Sequence, residues 1–596
     1  MFVWNSGDLN KDQADAILCD ENVFLVACPG SGKTRTLTYK IAVEISKLES
    51  NKQFVIAITY TNRAADEIRD RVESLGIDTK QLWIGTIHAF CLEWILRPYH
   101  IYHEKLARGF SLINSHESEV LLTRLCKRYT HPKITYWDCG YYFKKNGYEL
   151  TCQDPGKHDN LNKVLQEYFT ILEENKQLDF ELILYFSYEL ILKAPAISHL
   201  LSKLFSIVLV DEYQDTKEIQ YAIVASIIKS GNGSTKSFIV GDPNQSIFQT
   251  LGGFPMKIKE FEKLCGIKMK RLFLSKNYRS SERIIEYFSN FNVYETKIQA
   301  ASEEKYFQSW ITLNSKITKE NLDNELVRLV EANLEAGIKP SEICIVAPWW
   351  IHLSSITRRL TERMPDQEFD GPGTVPFSRD IENFWYKLSK IILTEASPKL
   401  YIRRLRWAGE IIKHLDEVGL RTTHLSNKSL LRECNSLSIK ENDGLFYLKE
   451  AFQQLAERLN VDFMAVDPLK EQYQAFFESS KARVDRMRKE GIQRIGDIKS
   501  FKRVFKDRCG ITISTIHGVK GAEFDTVIAF GLLKDIVPHF NDPNPKESAF
   551  KLLYVISSRA RKNLHLISET GRVNGIGRTY SATTELSQCK FDYDDI

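Results

Sequence analysis

The stretch Phe205-Ser206-Ile207-Val208-Leu209-Val210, followed by Asp211-Glu212-Tyr213-Gln214-Asp215, decides how this chain is read. The first six residues form a short, largely apolar strand, and two adjacent acids stand where it ends. In a parallel α/β sheet, the carboxyl ends of strands are where ligands bind. Far upstream, the apolar run Val23 to Ala27 leads into Cys28-Pro29-Gly30-Ser31-Gly32-Lys33-Thr34. Backbone N–H groups of such a loop wrap phosphate oxygens at a helix N-terminus. Lys33 can then reach the β- and γ-phosphates, and the Thr34 hydroxyl can ligate Mg²⁺. Alone, this loop is a weak signal, because Ala27 stands where the general pattern has glycine. Between a strand and a helix, with an Asp-Glu pair closing a second strand, it is strong. The competing reading of Asp211 and Glu212 is a solvated turn. The chemical reading gives Asp211 the Mg²⁺, through water, and Glu212 the attacking water, so a nucleoside triphosphatase is expected.

The rest of the composition sets bounds. A length of 596 residues corresponds to about four domain-sized units. Hydrophobic residues make up 43% and aromatic residues 11%, ample for buried cores. The net charge is only +4, so a nucleic-acid surface would have to be a local stripe. The eleven cysteines form no C-x-x-C pair or His/Cys cluster, which points away from zinc and iron–sulfur chemistry and toward thiols in a reducing compartment. The N-terminal residues lack a signal pattern, and no apolar run is long enough to span a bilayer. A soluble, cytoplasmic protein without a membrane partner is the expectation.

Along the chain, strands and helices alternate at first. Phe54 to Thr59 is a strand whose loop opens a helix at Asn62, and Ile84-Gly85-Thr86 ends another, just before His88. Residues 97–196 are helical, aromatic-rich and strand-poor, like an insertion. Sheet character returns with the Asp-Glu strand and with Ser237 to Val240. A second α/β block is expected from Lys268, with strands at Arg271 to Leu274 and Ile343 to Ala347. Gly371-Pro372-Gly373 reads as a hinge, and a charged helical stretch runs to about Arg508 before strands resume at Ile511 to Thr515 and Thr526 to Phe530. The fold class expected is α/β, with two parallel-sheet cores, each interrupted by a mostly helical insertion.

The order of motifs resembles the UvrD/Rep/PcrA group of superfamily 1 DNA helicases over nearly the whole chain. Leu9-Asn10-Lys11-Asp12-Gln13 is similar to their glutamine motif, and ACPGSGKTR (Ala27 to Arg35) to their phosphate loop. AITYTNRAADEIRDRV (Ala57 to Val72), GTIHAF (Gly85 to Phe90), LDFELI (Leu178 to Ile183), VDEYQD, GDPNQSIF (Gly241 to Phe248), KNYRS (Lys276 to Ser280), STIHGVKGAEF (Ser514 to Phe524) and YVISSRAR (Tyr554 to Arg561) follow in the family's order.

The resemblance implies that both cores are RecA-like. The first would comprise residues 1–96 and 197–266 around an insertion at 97–196, the second 267–370 and 510–596 around a reduced insertion at 371–509. The cofactors implied are ATP and Mg²⁺. Residues 27–35 (Ala27, Cys28, Pro29, Gly30, Ser31, Gly32, Lys33, Thr34 and Arg35) would hold the nucleotide, with Arg35 flanking the adenine, Gln13 reading it and Tyr278 stacking on it. Glu523 would lie near the ribose, Gln245 would sense the γ-phosphate, and Arg279 and Arg559 would be arginine fingers. Placing Lys33 and Glu212 on one core and both fingers on the other ties hydrolysis to closure of a cleft.

The implied partner is single-stranded or tailed duplex DNA, tracked 3′-to-5′. Tyr60, His88, Phe248 and His517 would touch bases, while Asn62, Arg63, Thr86 and Lys520 would contact phosphates. The competing reading makes Tyr60 and Phe248 packing residues and the histidines turn caps. RNA also remains possible as the strand.

There are departures from the family pattern. After Phe248, Thr250 removes a base-stacking residue and Leu251 a charge. Ala347-Pro348-Trp349-Trp350 replaces a polar series. Arg403, Arg404, Arg406, Arg483, Arg486, Arg488, Lys489 and Arg494 could meet duplex DNA or simply form a solvated face. Short chains of this kind also resemble helicase subunits encoded beside a nuclease in anti-phage systems such as Gabija, which would make a nuclease subunit a partner. The alternative function is an ATPase switch or adaptor that unwinds little.

Overall fold

A computed structural model describes residues 1–596 except 1, 3, 350–352, 372–374, 378, 379, 381, 421, 423, 490, 491, 507, 508 and 576, and the side chains of 399 and 493. Pro372 and Gly373 of the expected hinge, with Trp350 and Arg508, lie outside the described residues. The chain forms two compact units, Met1–Ile113 with Glu119–Leu322 and Ile516–Ile596, and Asn114–Ser118 with Asp323–Thr515.

The first unit is built on a six-stranded sheet of β1 (Val23–Ala27), β2 (Phe54–Thr59), β3 (Leu82–Thr86), β4 (Phe205–Val210), β5 (Lys236–Gly241) and β6 (Lys270–Leu274). The order is β6-β1-β5-β4-β2-β3, parallel throughout. β1 is buried at every residue, which is why it reads as an unbroken apolar run: helices cover both faces. Register brings Val26 beside Gly241 and Ile58 beside Val210. The loops after β1, β2, β4 and β5 therefore leave the sheet at one edge, which brings together the motifs that follow these strands.

β6 is a correction to the strand placement expected from sequence. The sequence places Arg271 to Leu274 in the second block, yet the strand pairs with β1, with Leu25 opposite Leu272. It is an edge strand with only Leu274 buried.

The insertion carries the helices His158–Glu174 and Phe180–Lys193, and the helix Pro195–Leu204 leads out of it into β4. It also holds an antiparallel hairpin, Tyr141–Lys144 with Gly147–Leu150, that the sequence reading did not expect. Its signal was present in an aromatic run followed by Asn146-Gly147, a turn dipeptide.

Three further parallel strands, Ile311–Asn314, Ala560–Ile567 and Phe524–Ala529, belong to the first unit. In the second unit, Ile511–Thr515 pairs in parallel with Ile343–Ala347 and with Phe369–Asp370. Both expected parallel-sheet cores are thus present. The remainder of the second unit is helical around Trp385, Phe452, Phe476 and Phe501, with Trp385 Nε1 donating to Leu469 O at 2.7 Å. Arg404 is not on a solvated face: it is 3% exposed and donates to Ile391 O. Among the described residues, no helix is long and apolar enough to cross a membrane.

Candidate functional site

The loop after β1 turns twice through left-handed backbone, at Gly30 (φ +68) and Gly32 (φ +79). A side chain there would be strained. It would also collide: a Cβ on Gly30 would sit 2.5 Å from Arg279 Cβ, and one on Gly32 would sit 2.7 Å from Gln13 Nε2. Gly32 is the N-cap of the 14-residue helix Lys33–Ser46, so the loop ends in free N–H groups at the positive end of a helix dipole. Burial pushes the Cys28 thiol in this loop up to about 12, leaving it neutral.

Opposite the loop, Lys33 Nζ lies 3.9 Å from Glu212 Oε1. Glu212 adopts left-handed backbone (φ 54, ψ 47), a strained conformation for a non-glycine residue. The surroundings fix it there: its N–H donates to Asp211 Oδ1 at 3.0 Å, and Gln214 Nε2 donates to its carboxylate. Two adjacent carboxylates are thereby driven apart in proton affinity. Burial and the neighbouring Glu212 push Asp211 up to about 7. For Glu212, burial pushes upward, but Lys33 and Lys520 outweigh it and hold the group below the usual carboxylate range. A low-affinity carboxylate beside a lysine is suited to staying ionised near a phosphate.

Gln214 also reaches the next strand, where its Oε1 accepts from Asp242 N at 3.0 Å. Gly241 permits this, because a Cβ there would sit 2.2 Å from Gln214 Oε1. Asp242 in turn accepts from Gln245 Nε2 at 2.7 Å, and Gln245 Oε1 accepts from Arg559 Nη2 at 2.9 Å. Arg559 is 2% exposed. Burial, with Arg279 alongside, pulls its guanidinium down to about 9, which leaves it charged at neutral pH. Arg279 donates through Nε to Glu523 at 2.5 Å and through Nη1 to Ser558 O at 3.0 Å.

At the other end of the loop, Gln13 is 4% exposed, with its amide engaged at both ends: Nε2 donates to Ser31 O and Oε1 accepts from Asn10 N. Tyr278 is 43% exposed, and its hydroxyl accepts from Asn10 Nδ2 at 2.8 Å. Arg35 lies 3.8 Å from Asp8. All the residues expected to meet a nucleotide are therefore in the first unit, around one loop.

The second set forms an aromatic run. Tyr60 and Phe248 stack at 5.1 Å, and His517 lies 5.3 Å from Phe248, its Nε2 donating to Ile247 O at 3.3 Å. Asn62 and Arg63 are exposed beside Tyr60. Three residues are placed otherwise than as free contacts. Thr86 caps the short helix Ile87–Phe90 through Ala89 N. His88 packs edge-on against Phe180 at 5.6 Å; its Nε2 lacks a hydrogen-bond partner among the described residues, and burial with Lys217 nearby depresses it to about 4. Lys520 pairs with Asp215 at 2.6 Å, donates to Gln245 O and lies 5.1 Å above the Phe248 ring. Thr250 is exposed, and the hairpin's Tyr142 lies against Gly252.

Asp215, Gln214 and Asn277 join this network although sequence reasoning gave them no role. Each stands inside a quoted motif, which was the available signal.

Residues 9–266 match the UvrD/REP helicase N-terminal domain, and residues 420–571 match the UvrD-like helicase C-terminal domain. The chain belongs to the UvrD/Rep/PcrA-type superfamily 1 helicases. Among its relatives are proteins named ATP-dependent DNA helicase PcrA. That of Staphylococcus epidermidis is 23% identical over 95% of this chain and 84% of the relative. That of Leuconostoc citreum is 24% identical over 95% and 82%, and that of Staphylococcus aureus 23% identical over 95% and 84%. For a UvrD/Rep/PcrA-type chain, the donor set around the loop suits Mg²⁺: a threonine hydroxyl and one or two carboxylates leave the remaining positions to phosphate and water. Among the described residues, no group of three or more His, Cys, Asp or Glu could hold a metal without such help.

Proposed function

We propose that this chain is a cytoplasmic, ATP- and Mg²⁺-dependent motor that moves 3′-to-5′ along single-stranded DNA and separates duplexes. The observation that carries this reading is the segment Gln245-Ser246-Ile247-Phe248. Its first residue accepts from Arg559 beside the phosphate loop, and its last stacks on Tyr60. Only Ser246 and Ile247 separate the proposed γ-phosphate sensor from the proposed base platform, so a shift at one displaces the other.

In this reading, the N–H groups of residues 30–34 cradle the phosphates and Lys33 neutralises the β- and γ-oxygens. Thr34 and Asp211 would hold Mg²⁺, which when bound offsets phosphate charge. Glu212 takes the proton of the attacking water as the new P–O bond forms and the bond to ADP breaks. Arg279 and Arg559 balance charge on the γ-phosphoryl oxygens, where positioned cations contribute most. Tyr278, Gln13, Arg35 and Glu523 surround the base and ribose. Tyr60, Phe248 and His517 carry successive bases by stacking, which tolerates any sequence, and Asn62 and Arg63 meet phosphates. The polarity rests on the family resemblance alone.

The test is strand displacement on duplexes bearing a 3′ or a 5′ single-stranded tail. Unwinding of the 3′-tailed duplex alone supports the reading. Hydrolysis with no displacement on either tail would replace the motor with a nucleotide-driven switch.

A further inference from the structure

The turn that carries Arg279 is stitched to the phosphate loop by one buried side chain. Asn277 is 0% exposed. Its Nδ2 donates to Pro29 O at 2.8 Å, and its Oδ1 accepts from Arg279 N at 2.8 Å and from Ser280 N at 2.9 Å. Both acceptor positions of the amide oxygen and one of its two donors are thus spent at a single junction. The oxygen makes an Asx-type turn that fixes the backbone direction at Arg279, while the nitrogen registers that turn on the phosphate loop. Backbone reinforces the seam, with Tyr278 N donating to Gly30 O at 2.8 Å. The approach is close enough that a Cβ on Gly30 would lie 2.9 Å from Asn277 Oδ1.

The same turn grips the chain around the second finger. Arg279 Nη1 donates to Ser558 O, Ser280 Oγ donates to Ala560 O at 2.7 Å, and Ser281 N donates to Arg561 O at 3.0 Å. A displacement of the turn would therefore shift Arg279 directly and disturb the backbone on either side of Arg559.

We propose that Asn277 is a positioning residue for hydrolysis: its amide sets the distance between the phosphate loop and the Arg279 guanidinium. This rests on the proposed role of Arg279 as an arginine finger. Asn277 touches no reacting atom, so its loss should lower kcat and leave KM for ATP nearly unchanged. A misplacement of about 1 Å in such a site costs on the order of a hundredfold in rate.

Asn277→Ser isolates the effect, because a hydroxyl can still accept within the turn but cannot reach Pro29 O. Asn277→Ala is the second variant; it adds no charge and removes the donor and both acceptor bonds together. The experiment measures steady-state ATPase of both, alone and combined with Arg279→Ala, together with binding of a fluorescent ADP. The expected result is a kcat loss of roughly ten- to a hundredfold in either single variant with ADP affinity retained, and no further loss when Arg279 is already alanine. Losses that multiply in the double variants would overturn the proposal, as would wild-type kcat in the single ones beside an inactive Arg279→Ala. Wild-type turnover in Arg279→Ala would overturn the site reading itself, and this inference with it.

Discussion

Around the phosphate loop, the charged side chains are held by partners: Lys33 by Glu212, Arg279 by Glu523, Arg559 by Gln245. Along the aromatic run, Tyr60 is 44% exposed, and the rings rest mainly on one another. In the proposed function, the difference follows from what each region would do. Stabilising charge on a breaking P–O bond requires groups already in place, because reorganisation during the reaction would cost what the charges contribute. A track must accept many bases in succession, so flat faces serve better than fixed hydrogen bonds. Lys520 belongs to both regions, paired with buried Asp215 and lying over Phe248.

The comparison breaks most visibly at Arg559. Arg559→Ala should lower ATP turnover by about 10³–10⁵-fold, as expected for an arginine finger, while single-stranded DNA binding measured by anisotropy is retained. Equal losses in both assays would mean that the two regions are not separable.

Lys520→Met comes next. Removing one partner of a buried pair should cost about 3–5 kcal/mol of stability, read as a lowered denaturant midpoint. Adding Asp215→Leu should recover most of it. A midpoint unchanged by Lys520→Met would show that the pair is not structural.

Phe248→Ala should weaken single-stranded DNA binding by about 1–3 kcal/mol, measured by titration at fixed salt. An unchanged affinity would return Phe248 to the role of a packing residue.

His88 gives a pH-dependent prediction. Burial depresses its pKa to about 4 from the ordinary 6.5, so the unfolded chain binds the proton more readily. Its contribution to stability is intact above about pH 6.5 and is lost as the pH falls toward 4, amounting to about 2 kcal/mol at pH 5. His88→Asn should flatten that part of the stability profile measured by urea unfolding between pH 7 and pH 5. An unaltered profile would place His88 in water rather than against Phe180.

Much of the first sheet and its loops was legible because buried parallel strands are unbroken apolar runs, and because glycine is favoured where φ is positive, as at Gly30 and Gly32. Strand partners were less legible. Arg271 to Leu274 reads as a strand by composition, but nothing local says that it pairs with β1, since pairing is decided by crossovers distant in sequence. The hairpin at Tyr141–Leu150 was hidden by the helical character around it. His88 and Lys520 show the same limit for side chains. Their motifs mark them as polar residues near a strand path, whereas burial against Phe180 and pairing with Asp215 depend on segments about 90 and 305 residues away.

The central claim is that nucleotide chemistry at the loop answers to a strand on the aromatic run. Steady-state ATPase activity, with and without a single-stranded DNA oligonucleotide and with Lys33→Ala as the blank, tests it most directly. The account predicts strong stimulation by the oligonucleotide that is absent in Lys33→Ala. Turnover indifferent to nucleic acid would contradict it.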